Sequence, residues 1–234
     1  MEKGRKNMSE KVIVAVDAMG GDNAPQEIVK GAVESLQKNS KIYIKLVGKE
    51  ASVQAELAKY DYDRERIEVI NTSEIIETGE PPVEAIRKKK DSSLVVAMRL
   101  VKEGKADAVV SAGSSGAILV GGQTIVGRIK GIERAPLAPL IPTAKGQSLL
   151  IDAGANMDAK ASYLFQFAKM GSIYMENVVG IKNPKVAIVN VGAEEEKGNA
   201  LVKETYPLLK ACKDIHFIGS IEARDIPKGD ADVI

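Results

Sequence analysis

Val12-Ile-Val-Ala-Val-Asp-Ala-Met-Gly-Gly-Asp-Asn-Ala-Pro25 decides the fold. Its first five residues, VIVAV, are a continuous β-branched run, the pattern of a strand buried on both faces. A polar glycine turn follows, and from Pro25 to Asn39 the residues Ile28, Val29, Ala32, Val33 and Leu36 fall on one helical face. Asn23 is the expected cap of that helix, with Gln26 as its capping-box partner. Strand, glycine turn and helix in succession are the opening unit of a parallel α/β sheet.

The same alternation runs outward along the chain. Strands are expected at Ile42–Val47, Ile67–Ile70, Ala108–Val110, Leu149–Ile151, Val186–Val191 and Ile215–Ile218. Helices are expected at Ser52–Tyr60, from an Asp91 cap through Val101 to Gly104, and at Ser115–Arg128, Tyr163–Val178 and Asn199–Cys212. The fold class is α/β, a mostly parallel sheet with helices on both faces in a Rossmann-like three-layer arrangement. Residues 1–11 read as a flexible extension and 12–234 as a single α/β domain. Pro136, Pro139 and Pro142 mark irregular connections, and the closing DADVI reads as a strand just beginning, so part of the domain is expected beyond Ile234.

Composition narrows the chemistry. The 234 residues carry 33 Lys and Arg against 32 Asp and Glu, a net charge of +1, so no global field attracts nucleic acid. A single cysteine, Cys212, excludes a disulfide framework and cysteine metal clusters. The single histidine, His216, sits in a strand-like context, leaving serine and cysteine nucleophiles without an evident base. Residues 108–127 form the longest uncharged stretch, but their glycines and hydroxyl side chains fit a strand, a turn and a helix better than a membrane span. The charged N-terminus is no secretory signal, and the expected compartment is the cytoplasm.

Four strand ends lead into polar glycine loops: Asp17–Asn23, Ser111–Gly116, Asp152–Asp158 and Asn190–Asn199. A parallel sheet places all four at its carboxyl edge, where such folds bind ligands. Glycine lets backbone N–H groups approach an anion, so a phosphate-sized ligand is the first expectation. Lys197, beside Gly198 and Asn199, can reach an anion held there. Asp152, Asp158 and Glu194–Glu196 read as caps and solvated charge rather than as metal ligands, so no metal is expected. No G-x-x-x-x-G-K-[ST] and no G-x-G-x-x-G follows a strand, and Gly113-Ser-Ser-Gly116 lacks nucleophile-elbow spacing. Arg87-Lys-Lys-Lys90 is a basic run, read as a solvated face or as a docking patch for an acidic partner.

The loops resemble those of a known family. Val14–Pro25 is similar to the opening of the bacterial phosphate acyltransferases of the PlsX family, and Lys88–Ser93, Ala106–Gly113, Gly127–Ile132, Met170–Tyr174, Glu196–Asn199 and Ile221–Asp225 resemble its further motifs in order. Two positions depart from it: Ser114-Ser115-Gly116 where the family has Asn-Thr-Gly, and Glu133-Arg-Ala-Pro136 where it has Asp-Arg-Pro-Ala. The resemblance implies transfer of a fatty acyl group from acyl-acyl-carrier protein to inorganic phosphate, giving acyl phosphate for phospholipid synthesis. The alternatives are an acyl-CoA donor or a non-catalytic carrier-protein docking module. It implies no cofactor, a homodimer, and peripheral contact at the inner face of the membrane. It further implies that Lys197 and Asn199 contact the phosphate or transition state and that Ser111, Gly113 and Ser115 cradle the anion, with Gly20, Gly21, Gly116 and Gly198 among the binding residues. Asp17, Asn23, Asp152 and Asn156 shape the crevice, and Arg87, Lys88 and Lys89 face the acidic carrier protein.

Overall fold

A computed structural model describes residues 11–234, so nearly all of the N-terminal extension expected at 1–11 lies outside the described residues. The chain packs as two compact units, divided between Ile129 and Lys130.

The first unit is built on four parallel strands: β1 (Val12–Asp17), β2 (Ile42–Gly48), β3 (Ile67–Asn71) and β4 (Ala108–Val110), in the order β3-β2-β1-β4. Side chains on successive residues point to opposite faces, and the strands use both. Val16, Ile44 and Leu46 are buried against α1 (Gln26–Lys38) and α2 (Glu50–Leu57). Ala15 and Val47 are buried with Ala97 and Leu100 of α4 (Ser93–Lys102). This two-sided burial explains why the strands read as unbroken apolar runs. Leu46 is fully buried, and truncation to alanine there costs about 2–5 kcal/mol. A further cluster joins Ile86 of α3 (Pro82–Lys88) and Met98 of α4 to Ala117 of α5 (Ser115–Gly121), which runs on as a π-helical turn to Val126.

Two capping expectations are corrected. Helix α1 begins at Gln26 behind Pro25, with no side-chain cap; Asn23 contributes only its carbonyl, which accepts from Glu27 N–H at 3.1 Å. Helix α4 is preceded by Ser92, because the Asp91 carboxylate is taken by the N–H and hydroxyl of Ser73 at 2.8 and 2.6 Å.

The second unit holds the antiparallel hairpin β5 (Leu140–Thr143) and β6 (Gly146–Leu149) and the parallel pair β7 (Lys185–Asn190) and β8 (His216–Glu222). Val233 bridges the two, parallel to both Leu149 and Val186. Ala187 N–H donates to Val233 C=O at 2.9 Å, and Ile151 N–H to Ile234 C=O at 2.8 Å. The segment read as a nascent strand is thus hydrogen-bonded on both sides. The expected strand Leu149–Ile151 is displaced: β6 runs Gly146–Leu149 and shares only Leu149 with it. Helices α6 (Ala161–Tyr174), extended by a π-helical turn to Val179, and α7 (Ala200–Ala211) cover Val186, Ile188 and Val233. Among the described residues no helix is long and apolar enough to cross a membrane.

Candidate functional site

Within the first unit the strand order reverses at β1. The connections from β1 through β2 to β3 run one way, and β4 returns on the other side of β1. Loops leaving adjacent strands in opposite directions open a crevice at their carboxyl ends, where open α/β sheets bind ligands. The loops after β1 and β4 are Asp17–Asn23 and Ser111–Gly116, so two of the four expected loops share this edge.

They are joined by hydrogen bonds. Ser111 Oγ donates to Asp17 Oδ2 at 2.7 Å, and Gly113 N–H donates to Ser111 Oγ at 3.1 Å. Met19 N–H donates to Asp17 Oδ1 at 3.2 Å, so the buried carboxylate is held from two loops. Gly20 is required by this closeness. A β-carbon there would stand 2.5 Å from Asp17 Oδ2 and 2.9 Å from both Ser111 Oγ and Gly113 N. Gly21 turns the chain with φ +105° against Ala112. Ser115 is the exposed first residue of α5, whereas its neighbour Ser114 caps the helix by accepting from Ala117 N–H at 3.3 Å. Gly116 lies against Pro82, and Asn23 is exposed.

The second unit brings its own pair of loops. After β6, Asp152 accepts four hydrogen bonds: from the N–H groups of Leu137 (2.7 Å), Ala155 (3.2 Å) and Asn156 (2.7 Å), and from Asn156 Nδ2 (3.0 Å). A carboxylate offers about four acceptor positions. Asp152 is therefore a structural clasp, and Asn156 supports it while also donating to Ala135 C=O at 3.1 Å. No group of three or more His, Cys, Asp or Glu side chains suited to a metal occurs among the described residues.

After β7, the buried Asn190 organises the loop. Its Oδ1 accepts from Val191 N–H at 2.8 Å and its Nδ2 donates to Lys197 C=O at 3.1 Å. Gly198, at φ +107°, passes so close that a β-carbon would meet Asn190 Oδ1 at 2.5 Å. Asn199 caps α7, its Oδ1 accepting from Val202 N–H at 2.9 Å. Lys197 Nζ lies 2.8 and 2.9 Å from the two carboxylate oxygens of Glu194. That carboxylate holds the ammonium above its ordinary pKa, and the ammonium holds Glu194 below its own. The loop thus brings Lys197, Gly198 and Asn199 together, and adds Glu194 and Asn190, to which sequence reading gave no role at the site. Among the described residues, Asp152 and Asn199 are the polar ones on the wall of a cavity of about 400 Å³ otherwise lined by side chains such as Leu164, Ile188 and Val202.

The basic run divides. Arg87 and Lys88 are exposed at the end of α3, Lys88 pairing with Glu84 at 2.8 Å. Lys89 is half-buried, held by Glu80 and by Ile75 C=O at 2.6 Å. His216 is a β8 residue with Nδ1 beside Asn183, and Cys212 follows the last turn of α7.

The family described as fatty acid synthesis protein matches residues 12–234. The chain is 53% identical over 222 residues to the phosphate acyltransferase of Clostridium botulinum (strain Loch Maree / Type A3), covering 95% of this chain and 66% of that protein. It is 54% identical over 223 residues to the phosphate acyltransferase of Clostridium kluyveri (strain ATCC 8527), again covering 95% and 66%. The chain therefore spans just under two thirds of the length of these relatives. Its fold is similar to that of the EutD phosphotransacetylase from Staphylococcus aureus, with TM-score 0.67 and 21% identity over 95% of this chain and 76% of that one.

Proposed function

Because this chain belongs to the fatty acid synthesis protein family, we propose that it transfers a fatty acyl group from acyl-acyl-carrier protein to inorganic phosphate, making acyl phosphate for phospholipid synthesis. The observation that carries the reading is the match of residues 12–234 to that family, together with identities of 53–54% to proteins named phosphate acyltransferase.

In this reaction a phosphate oxygen attacks the thioester carbonyl carbon. The resulting tetrahedral oxyanion collapses, the C–S bond breaks, and the carrier thiolate leaves and takes a proton. The nucleophile arrives as substrate, so the protein's tasks are to position phosphate and to stabilise the oxyanion. Such a reaction suits a chain whose Ser111 is oriented by Asp17 and whose one histidine lies on β8 beside Asn183. In the first unit, Ser111, Gly113 and Ser115 are the anion donors, and Asp17 aligns Ser111. In the second, Lys197 and Asn199 are the phosphate or transition-state contacts, at a loop held by Asn190 and Gly198. Arg87 and Lys88 are the docking charges for the acidic carrier protein. Homodimerisation and peripheral contact with the inner membrane face complete the proposal.

The test is phosphate-dependent thiol release, measured with acyl-acyl-carrier protein and with acyl-CoA in parallel. Faster turnover of the carrier-bound donor is expected. Preference for acyl-CoA would replace the donor, and binding of carrier protein without turnover would make the chain a docking module.

A further inference from the structure

The loop after β7 holds its cation in a particular way. Lys197 N–H donates to Glu194 C=O at 3.2 Å, closing a turn that sets the two side chains three residues apart on one side. Both carboxylate oxygens of Glu194 face Lys197 Nζ, at 2.8 and 2.9 Å. The pair lies directly over the backbone of Gly192. A β-carbon at Gly192 would stand 2.5 Å from Lys197 Cδ, 2.8 Å from Glu194 Oε2 and 3.0 Å from Lys197 Nζ. The bond from Asn190 to Lys197 C=O anchors this clasp to the end of the strand. Yet the pair is open to water, with the two side chains 50% and 53% exposed. An exposed ion pair is weak and easily exchanged.

We propose that Glu194 is a surrogate anion: its carboxylate occupies the place on Lys197 Nζ that substrate phosphate takes, so phosphate binds by displacing Glu194. This rests on the reading of Lys197 as a phosphate contact and adds a residue that sets phosphate affinity. Glu194 keeps the ammonium positioned before substrate arrives and sets a threshold for weaker anions. A dianion bearing three or more acceptor oxygens replaces one carboxylate and gains the loop's N–H groups as well. Glu195 is the natural control. It is the next residue, carries the same charge, and is held by Lys210 at 2.6 Å instead.

Calorimetric titration with inorganic phosphate tests this on the wild-type chain and on Glu194→Gln, Glu195→Gln and Lys197→Ala. At low ionic strength Glu194→Gln is expected to bind phosphate about threefold more tightly than wild type, and the gain narrows as salt screens the competition. Glu195→Gln stays at the wild-type affinity. Equal or weaker binding by Glu194→Gln overturns the proposal, as does the same gain in Glu195→Gln or no binding by wild type and Glu194→Gln alike. Lys197→Ala separates the two levels. Wild-type affinity in that variant removes Lys197 from the phosphate site, whereas loss of binding there with no gain in Glu194→Gln rejects the surrogate role alone.

Discussion

Ser111 Oγ donates to Asp17 Oδ2 across the point where the first unit's strand order reverses, a 2.7 Å bond between residues 94 positions apart. Hydrogen bonds to a buried charged group contribute about 1.5–3 kcal/mol, and Asp17 is 2% exposed. Ser111→Ala is expected to lower unfolding free energy by that amount and phosphate-dependent turnover at least tenfold, about 1.4 kcal/mol of barrier. Asp17→Asn is expected to reduce both, and the double variant to lose less than the sum because the residues share one bond. Denaturant titration and steady-state kinetics check this; additive losses would uncouple the pair.

Two glycines test the close packing of that crevice. Gly20→Ala places a methyl 2.5 Å from Asp17 Oδ2 and is expected to destabilise by about 1–3 kcal/mol, as overpacking does. Gly31 lies in α1 with nothing within 4 Å of its would-be β-carbon. There the same substitution is expected to stabilise by about 0.5–1 kcal/mol through helix propensity. Urea midpoints of the two variants should move in opposite directions.

Lys197 and Asn199 are separable by experiment. Lys197→Ala removes an exposed side chain, so stability is retained while turnover falls at least tenfold, about 1.4 kcal/mol of barrier. Asn199→Ala loses the α7 cap and costs about 1 kcal/mol of stability. Asn199→Asp keeps the cap but sets a further negative charge beside Lys197, so it is expected to keep stability and lose turnover. Normal turnover in Asn199→Asp would confine Asn199 to capping.

The Asp91 carboxyl is held below its ordinary pKa by the Ser73 hydroxyl and N–H. A depressed carboxylate contributes stability that is present above its unfolded-chain value, about 3.9, and is lost as pH falls through the folded value. Asp91→Asn should therefore unfold at lower urea than wild type at neutral pH, and the gap should close below the ordinary carboxylate range. A gap independent of pH would mean that geometry, not charge, holds the loop.

Charge reversal at Arg87 and Lys88 is expected to weaken carrier-protein binding and flatten its salt dependence, because both side chains are exposed. Reversal at Lys89 is expected to unfold the 75–89 region instead, since Glu80 and Ile75 C=O hold that ammonium. Solution binding at two salt concentrations and thermal melts distinguish these outcomes.

The parallel strands were legible because burial on both faces leaves a continuous apolar signature, as in Val12–Asp17 and Lys185–Asn190. Helix α3 escaped because seven residues are too few for a helical period; its one local signal is Pro82 at the first turn. The β5–β6 hairpin escaped because Pro142 argues against a strand, though Gly146 at φ +130° closes the turn. The two capping errors have different causes: Ser73 claims the Asp91 carboxylate, whereas α1 begins behind Pro25, which leaves Asn23 two positions before the cap. At the site, the glycine loops and Lys197 stood out as residues. The Asp17–Ser111 bond depends on strand order, which no local pattern encodes. Glu194 read as solvated charge because its partner is set by the turn geometry.

The place of Val233 has a consequence for how the protein is made. Ser148 Oγ donates to Ala231 C=O across 83 residues, and the backbone around Val233 joins β6 to β7. The pairing of β6 with β7 through Val233 therefore cannot form until residues 231–234 have left the ribosome, and it carries the slow kinetics of long-range pairing. The first unit, whose strands and helices end by Ile129, has all its pairings available earlier and is expected to fold while the rest is still being synthesised.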